Sequence, residues 1–189
     1  MGWVIGLVIL LVIVIIALWI MSTYNKLVSL RNKVRNGLSQ IDVQLQRRFD
    51  LIPNLVETVK GYTKHENEIF GEFAKARSIF DRAKAGQNVE GMAEAEKGLT
   101  GALGKLLVVT ESYPELKANV NYQNLMKELS DTESKVAYSR QFYNDIAQKY
   151  NDKVEMVPGN IVANMYKFEL AKYFEVESDE IKKAPKVSF

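Results

Sequence analysis

The sequence predicts an all-α protein: a single N-terminal transmembrane helix continuing into an elongated antiparallel bundle of about four long helices. Three observations predict it. An uncharged apolar run opens the chain. Beyond it, apolar residues recur at steps of three and four over long segments, the mark of one buried helical face. Strand-like alternation is absent throughout. The expected division is a membrane segment over 1–23 and a bundle domain over 24–189. Composition narrows the function. The 189 residues include no Cys and one His, with 25 basic and 23 acidic side chains. Disulfide frameworks, thiol nucleophiles and Cys-rich zinc sites are excluded. A net charge of +2 lacks the basic excess of a nucleic-acid binder, so no nucleic-acid partner is expected.

Residues 4–21 carry no charge, and Gly6 is the one residue outside the apolar set. Residues 3–21 make roughly 28 Å of helix at about 1.5 Å per residue, close to the hydrocarbon thickness of about 30 Å. Trp3, Trp19 and Tyr24 fall where interfacial aromatics are enriched. A cleaved signal peptide would need a basic leader and a small-x-small site, and the sequence has neither, so the span is read as retained and in contact with lipid. Lys26, Arg31, Lys33 and Arg35 follow the span before the first acid, Asp42. The positive-inside rule then places residues 24–189 in the cytoplasm, with the short N-terminus outside. Gly2 and Gly6 form a G-x-x-x-G pair, read here as incidental. Gly6 also stands where a myristoylation signal requires Ser or Thr.

The first soluble segment places Leu27, Leu30, Val34, Leu38, Ile41, Leu45, Phe49, Ile52, Val56 and Val59 on one face. They also repeat at eleven, as in Leu27, Leu38 and Phe49, which gives 3.67 residues per turn and a nearly straight stripe. Nothing between Met21 and Leu27 breaks a helix, so span and shaft are read as one rod. Pro53 removes a backbone donor and crowds the Phe49 carbonyl; because the stripe continues, a kink is expected there, with Asp50 available to cap a restarted helix. Ile69, Phe70, Phe73, Ala76, Phe80 and Ala83 mark a second helix ending before Gly86-Gln87-Asn88. A third runs over about 91–112 and stops before Tyr113-Pro114. Its Gly98, Gly101 and Gly104 suggest a close helix crossing, and the phosphate-loop alternative fails at Leu99 and Leu106. The last long helix covers about 119–156, with a stripe from Leu125 through Leu129, Thr132, Val136, Ser139, Tyr143, Ile146, Tyr150 and Val154 to Val157. Pro158-Gly159 ends it, and Asn160 is a candidate cap for a short helix over 161–168.

Candidate chemistry is sparse. His65 lacks the second His of H-E-x-x-H, since position 69 is Ile, and the Glu-x-x-His of a di-iron bundle, since position 62 is Tyr. Glu68 and Glu72 lie one turn apart and read as solvated surface. Arg47 and Arg48 raise an anionic-lipid contact, but membrane attraction fades within about 8 Å, so they read as solvated helix faces. No catalytic, cofactor or metal site is expected.

The stretch YNKLVSLRNKVRNGLSQIDVQLQRRFDLIPNLVETVKGYTKH (24–65) resembles the LemA family. The likeness continues through GALGKLLVVTESYPELKAN, RQFYNDIAQKYN and PGNIVAN to the closing APKVSF. Its hallmark positions here are Asn32, Gln40, Asp42, Arg47, Arg48, Asp50, Pro53, Asn54, Glu57, His65 and Glu66. Gly37-Leu38 departs from the family's common Ala-Trp and should loosen the bundle locally. The resemblance implies a bacterial single-span membrane protein with a helical bundle and no established enzymatic activity; relatives at magnetosome membranes point toward membrane organisation.

The expected function is therefore a membrane-anchored scaffold that self-associates and organises a membrane or envelope assembly without catalysis. The alternative is an adaptor or regulator of another membrane protein, such as an envelope protease. Arg47, Arg48, Asp50, Asn54, His65 and Glu66 are the candidate interaction surface. An enzymatic reading would rest on a metal held by His65 and neighbouring carboxylates.

Overall fold

The computed structural model describes residues 1–62 and 67–175. Among them the chain is all-α and has no strand, as predicted. Four long helices, α1 (Gly2–Lys60), α2 (Asn67–Ala85), α3 (Val89–Thr110) and α5 (Val120–Glu155), are accompanied by two short ones, α4 (Pro114–Lys117) and α6 (Gly159–Met165). They form two compact bodies. The first combines 1–40 with 139–173; the second combines 41–138 with the stretch that begins at Phe174.

The helix α1 runs without a break from the apolar segment into the soluble part. Residues 4–16 are exposed apolar surface, as a lipid-facing span requires. Pro53 lies inside the helix and on its exposed side. Proline costs a helix interior about 3 kcal/mol, but Phe49, Ile52, Leu55 and Val59 are all buried around it. Packing of that face holds the helix through the missing hydrogen bond. No helix restarts there, so Asp50 caps nothing; its carboxylate is taken by Gln46 and Arg77 instead.

Burial along α1 follows seven more closely than eleven. Leu27, Val34, Ile41, Arg48 and Leu55 are spaced by seven and all are buried. Leu30, Leu38 and Val56, which the eleven-residue pattern needs, are half-buried.

In the first body α5 runs antiparallel to α1. Gly37 is buried under Tyr143, where a Cβ would lie 3.4 Å from the ring. Tyr143 thus fills the gap expected at Gly37-Leu38. Gly159 opens α6 where a Cβ would stand 2.5 Å from the Lys153 carbonyl oxygen, a site open to glycine alone. Pro158 holds the cap position of α6 without a side-chain bond, and Asn160 lies inside the helix rather than capping it. Val157, assigned to the core stripe, is 78% exposed because α5 has ended before it.

In the second body α2 and α3 form a helical hairpin. Gly91 faces Ala83, Gly98 faces Ala76 and Lys105 pairs with Glu72, so each step along α3 matches a reverse step along α2. Asn88 caps α3 by accepting from the Gly91 N–H at 3.2 Å. The glycine seam differs from expectation. Gly98 meets Ala76, but Gly101 and Gly104 have open space. A step of three turns a helix by 300°, so the glycines drift off the seam; the seven-residue step from Gly91 to Gly98 stays on it.

Both short-range helix ends close alike. After α2 the Asn88 N–H reaches the Ala83 carbonyl and the Gln87 N–H that of Lys84; after α6 the Phe168 N–H reaches Ala163 and the Lys167 N–H reaches Asn164. These are Schellman closures, which favour glycine at the left-handed position. Here that position holds Gln87 at φ 49° and Lys167 at φ 53°.

Candidate functional site

The polar positions singled out in the sequence separate sharply once folded. Arg47 is exposed and lies 4.0 Å from Glu128. Arg48, one residue on, is 1% exposed and belongs to the core. Its assignment to a solvated face is therefore corrected. Arg48 sits three residues after Leu45 and four before Ile52, both core residues, so the helical register carries it inward. A 3-4 alternation through Ile41, Leu45, Arg48, Ile52, Leu55 and Val59 was the signal available in the sequence; the step through Phe49 concealed it.

The buried guanidinium is partly satisfied. One terminal nitrogen donates to Thr100 Oγ1 at 3.2 Å, and the other lies 3.4 Å from Glu133. Nε finds no acceptor among the described residues. Burial pushes the Arg48 pKa down, against the raising influence of Glu133 and Glu96. Arginine nonetheless stays cationic throughout the physiological range. It therefore supplies a fixed positive charge linking α1, α3 and α5 within this body, and no proton-transfer group.

A charged strip lines α1 and α2 on the outside of the same body. Arg77 donates to Asp50 at 2.8 Å and to Asp81 at 3.1 Å. Lys84 reaches Asp42 at 3.3 Å and Gln46 at 3.2 Å. The hydrogen bond from Arg77 holds the Asp50 carboxyl below its ordinary range. Phe49 stacks on Phe80 beneath, with centroids 4.9 Å apart. Beside this strip a groove of about 500 Å³ has an apolar floor that includes Ile52, Val56 and Phe73, with Asp50, Glu57 and Arg77 among its polar residues.

The candidate positions are thus only partly brought together. Asp50 enters the strip with Arg77, and Asn54 is exposed one turn further along α1. His65 and Glu66 lie outside the described residues. Glu72, read as solvated, instead holds Lys105. Among the described residues no three His, Asp or Glu side chains gather as a metal ion would require.

A second polar arrangement was missed in the sequence. In the first body, residues 169–172 lie along α5. Asn151 donates to the Ala171 carbonyl at 2.9 Å and accepts from its N–H at 2.8 Å. Tyr150 and Tyr143 donate to the carbonyls of Glu169 and Lys172, both at 2.7 Å. The phenol of Tyr150 is pushed up by burial. A buried amide can pair with an extended backbone as a neighbouring strand would. The available signal was Asn151 itself, a polar residue four positions after the buried Ala147.

Residues 37–189 match the LemA family. Magnetosome protein MamQ 2 of Paramagnetospirillum magneticum is 26% identical over 179 residues, covering 82% of this chain and 66% of that protein. Magnetosome protein MamQ of Magnetospirillum gryphiswaldense is 25% identical, covering 82% and 65%. Protein LemA of Metamycoplasma hominis is 25% identical, covering 83% and 72%. The chain thus spans slightly less than two thirds of the magnetosome relatives it matches. With a helix long and apolar enough to cross a membrane and the family match over most of its length, the chain is a membrane-associated protein that belongs to the LemA family.

Proposed function

We propose that the protein is a membrane-anchored helical scaffold that self-associates and organises a membrane or envelope assembly. Its bundle stands on the cytoplasmic side of a bacterial inner membrane. The observation that carries this reading is the unbroken helix Gly2–Lys60, which joins an apolar anchor to a bundle without a flexible linker. Anchoring confines copies to two dimensions and raises their effective concentration, so weak lateral contacts suffice. The MamQ relatives carry magnetosome in their names, which supports a role at an organised membrane. Lys26, Arg31, Lys33 and Arg35 support the cytoplasmic side. Arg47, Asp50 and Asn54 are the exposed positions offered to a partner; Arg48 is withdrawn from that surface by its burial. The proposal includes no catalysis.

Lateral crosslinking of the full-length chain in vesicles tests it, at several protein-to-lipid ratios. A ladder of homo-oligomers that grows with density is expected. Monomer alone at the highest density overturns self-association. Crosslinks in native membranes to a protein of different mass, without homo-oligomers, favour the adaptor alternative.

A further inference from the structure

The first body exposes a cluster of apolar residues at one end. Met156 is 61% exposed, Ile161 60% and Met165 55%, and Val157 and Tyr166 are also open. Ile161 and Met165 are four apart on α6 and so share its outer face. The opposite face, with Val162 and Ala163, is buried. The outer face thus presents Ile161 and Met165 with one exposed polar residue, Asn164, between them, a larger apolar share than a surface in contact with water usually carries.

Two observations bring this corner level with the end of the apolar segment. Tyr24 packs against Tyr166 with ring centroids 4.7 Å apart, and against Phe168 at 5.7 Å. Tyr24 is three residues beyond Met21, a rise of about 4.5 Å. The second is the register of α1 and α5. Gly37 faces Tyr143, and two antiparallel helices of equal rise then bring Met156 and Val157 level with Tyr24 and Thr23. The headgroup layer extends about 5–7 Å beyond the hydrocarbon on each side, so Tyr24 and the residues level with it fall at that depth when Met21 marks the hydrocarbon edge. Exposed Lys167 follows Tyr166 there and exposed Lys26 stands at the outer edge of the layer, with Glu155 the exposed acid at the end of α5. Lysines at this depth favour a lipid headgroup surface.

We infer that the α5–α6 corner is a second membrane contact, with Ile161 and Met165 inserted into the lipid headgroup layer beside the emerging span. This rests on the anchor reading and adds to it that the bundle is held against the bilayer at two points. Apolar side chains placed in the interface gain from the area they bury there. The contact fixes the tilt of the first body relative to the bilayer.

The absence of Cys permits single labels. Ile161→Cys, Met165→Cys, Met21→Cys and Gln141→Cys variants of the full chain, each carrying an environment-sensitive fluorophore, are reconstituted into phosphatidylcholine–phosphatidylglycerol vesicles. Some vesicles include a lipid with a nitroxide at the top of its acyl chain. Labels at 161 and 165 are expected to shift to the blue and to lose intensity to the nitroxide, as the label at 21 does; the label at Gln141, about 27 Å along the bundle from Met21, does neither. If 161 and 165 behave like 141 while 21 is quenched, the inference fails and the anchor stands. If 21 is unquenched as well, both fail. Disulfide-linked pairs formed through Ile161→Cys in unlabelled vesicles, together with unquenched labels, would assign the corner to a second copy and overturn the lipid contact.

Discussion

In the body built from 1–40 and 139–173, Tyr143, Tyr150 and Asn151 tie α5 to the carbonyls of an extended segment. In the body built from 41–138 and the stretch from Phe174, many ties between elements join charged side chains: Arg48 with Glu133, Arg77 with Asp50, Lys84 with Asp42 and Lys105 with Glu72. The two kinds of tie respond differently to their surroundings. Neutral buried hydrogen bonds are insensitive to salt, whereas exposed ion pairs are screened by it. Arg48 is the exception inside the charged body, since its guanidinium is desolvated. Conditions that alter charge should therefore loosen the second body's outer face before its core or the first body.

The largest effect is expected at Arg48. Arg48→Ala empties a fully buried site and should lower unfolding stability by about 2–5 kcal/mol, as for other large-to-small core changes. Arg48→Met keeps most of the volume and leaves Glu133 more than half exposed to solvent, so its loss should be smaller than that of Arg48→Ala. Denaturant unfolding of the full chain in detergent compares the two variants. Equal losses would mean that the charge, rather than the packing, holds this core.

Asn151→Ala strands both backbone groups of Ala171 and should cost about 1–3 kcal/mol. Hydrogen exchange at residues 169–172 should rise in this variant, with the second body unaffected. If exchange rises equally in both bodies, they do not respond independently. On the hairpin, Gly91→Ala places a Cβ 2.8 Å from Ala83 and should cost about 1–3 kcal/mol. Gly101→Ala meets open space and should gain up to about 1 kcal/mol from helix propensity. Thermal melts of the pair test whether the seam lies where the contacts place it.

The smallest effect belongs to the outer strip. Asp50 is more than half exposed, so its pair with Arg77 should contribute only about 0.2–1 kcal/mol. Its carboxyl is held below the ordinary value by Arg77, so this stabilisation is present above the unfolded-state pKa and is lost as pH falls through the lowered one. Asp50→Asn should flatten that acid limb slightly and reduce the response to salt. An unchanged acid limb and salt response in this variant would show that the pair contributes nothing.

The helices were legible because their signal is periodic and long. The third was expected over about 91–112 and spans 89–110; the last was expected over about 119–156 and spans 120–155. The site was harder to read because burial inverts what a residue type suggests. Arg47 and Arg48 are alike in sequence, and a rotation of 100° on the helix separates solvent from core. Glu72 looked solvated because its cation, Lys105, comes from another helix. Asn151 looked like an ordinary polar residue because its partner is backbone, which has no sequence signature. The three glycines suggested a seam by composition, but only their angular position could assign it.

Gly2–Lys60 being a single helix ties angle to height. Adding one residue between Met21 and Leu27 would turn the start of the bundle by 100° and raise it by about 1.5 Å. Ile161 and Met165 would then point along a different bearing relative to the apolar segment. The number of residues in that short passage therefore works as an address: it sets the bearing and the height of the bundle's start relative to the apolar segment.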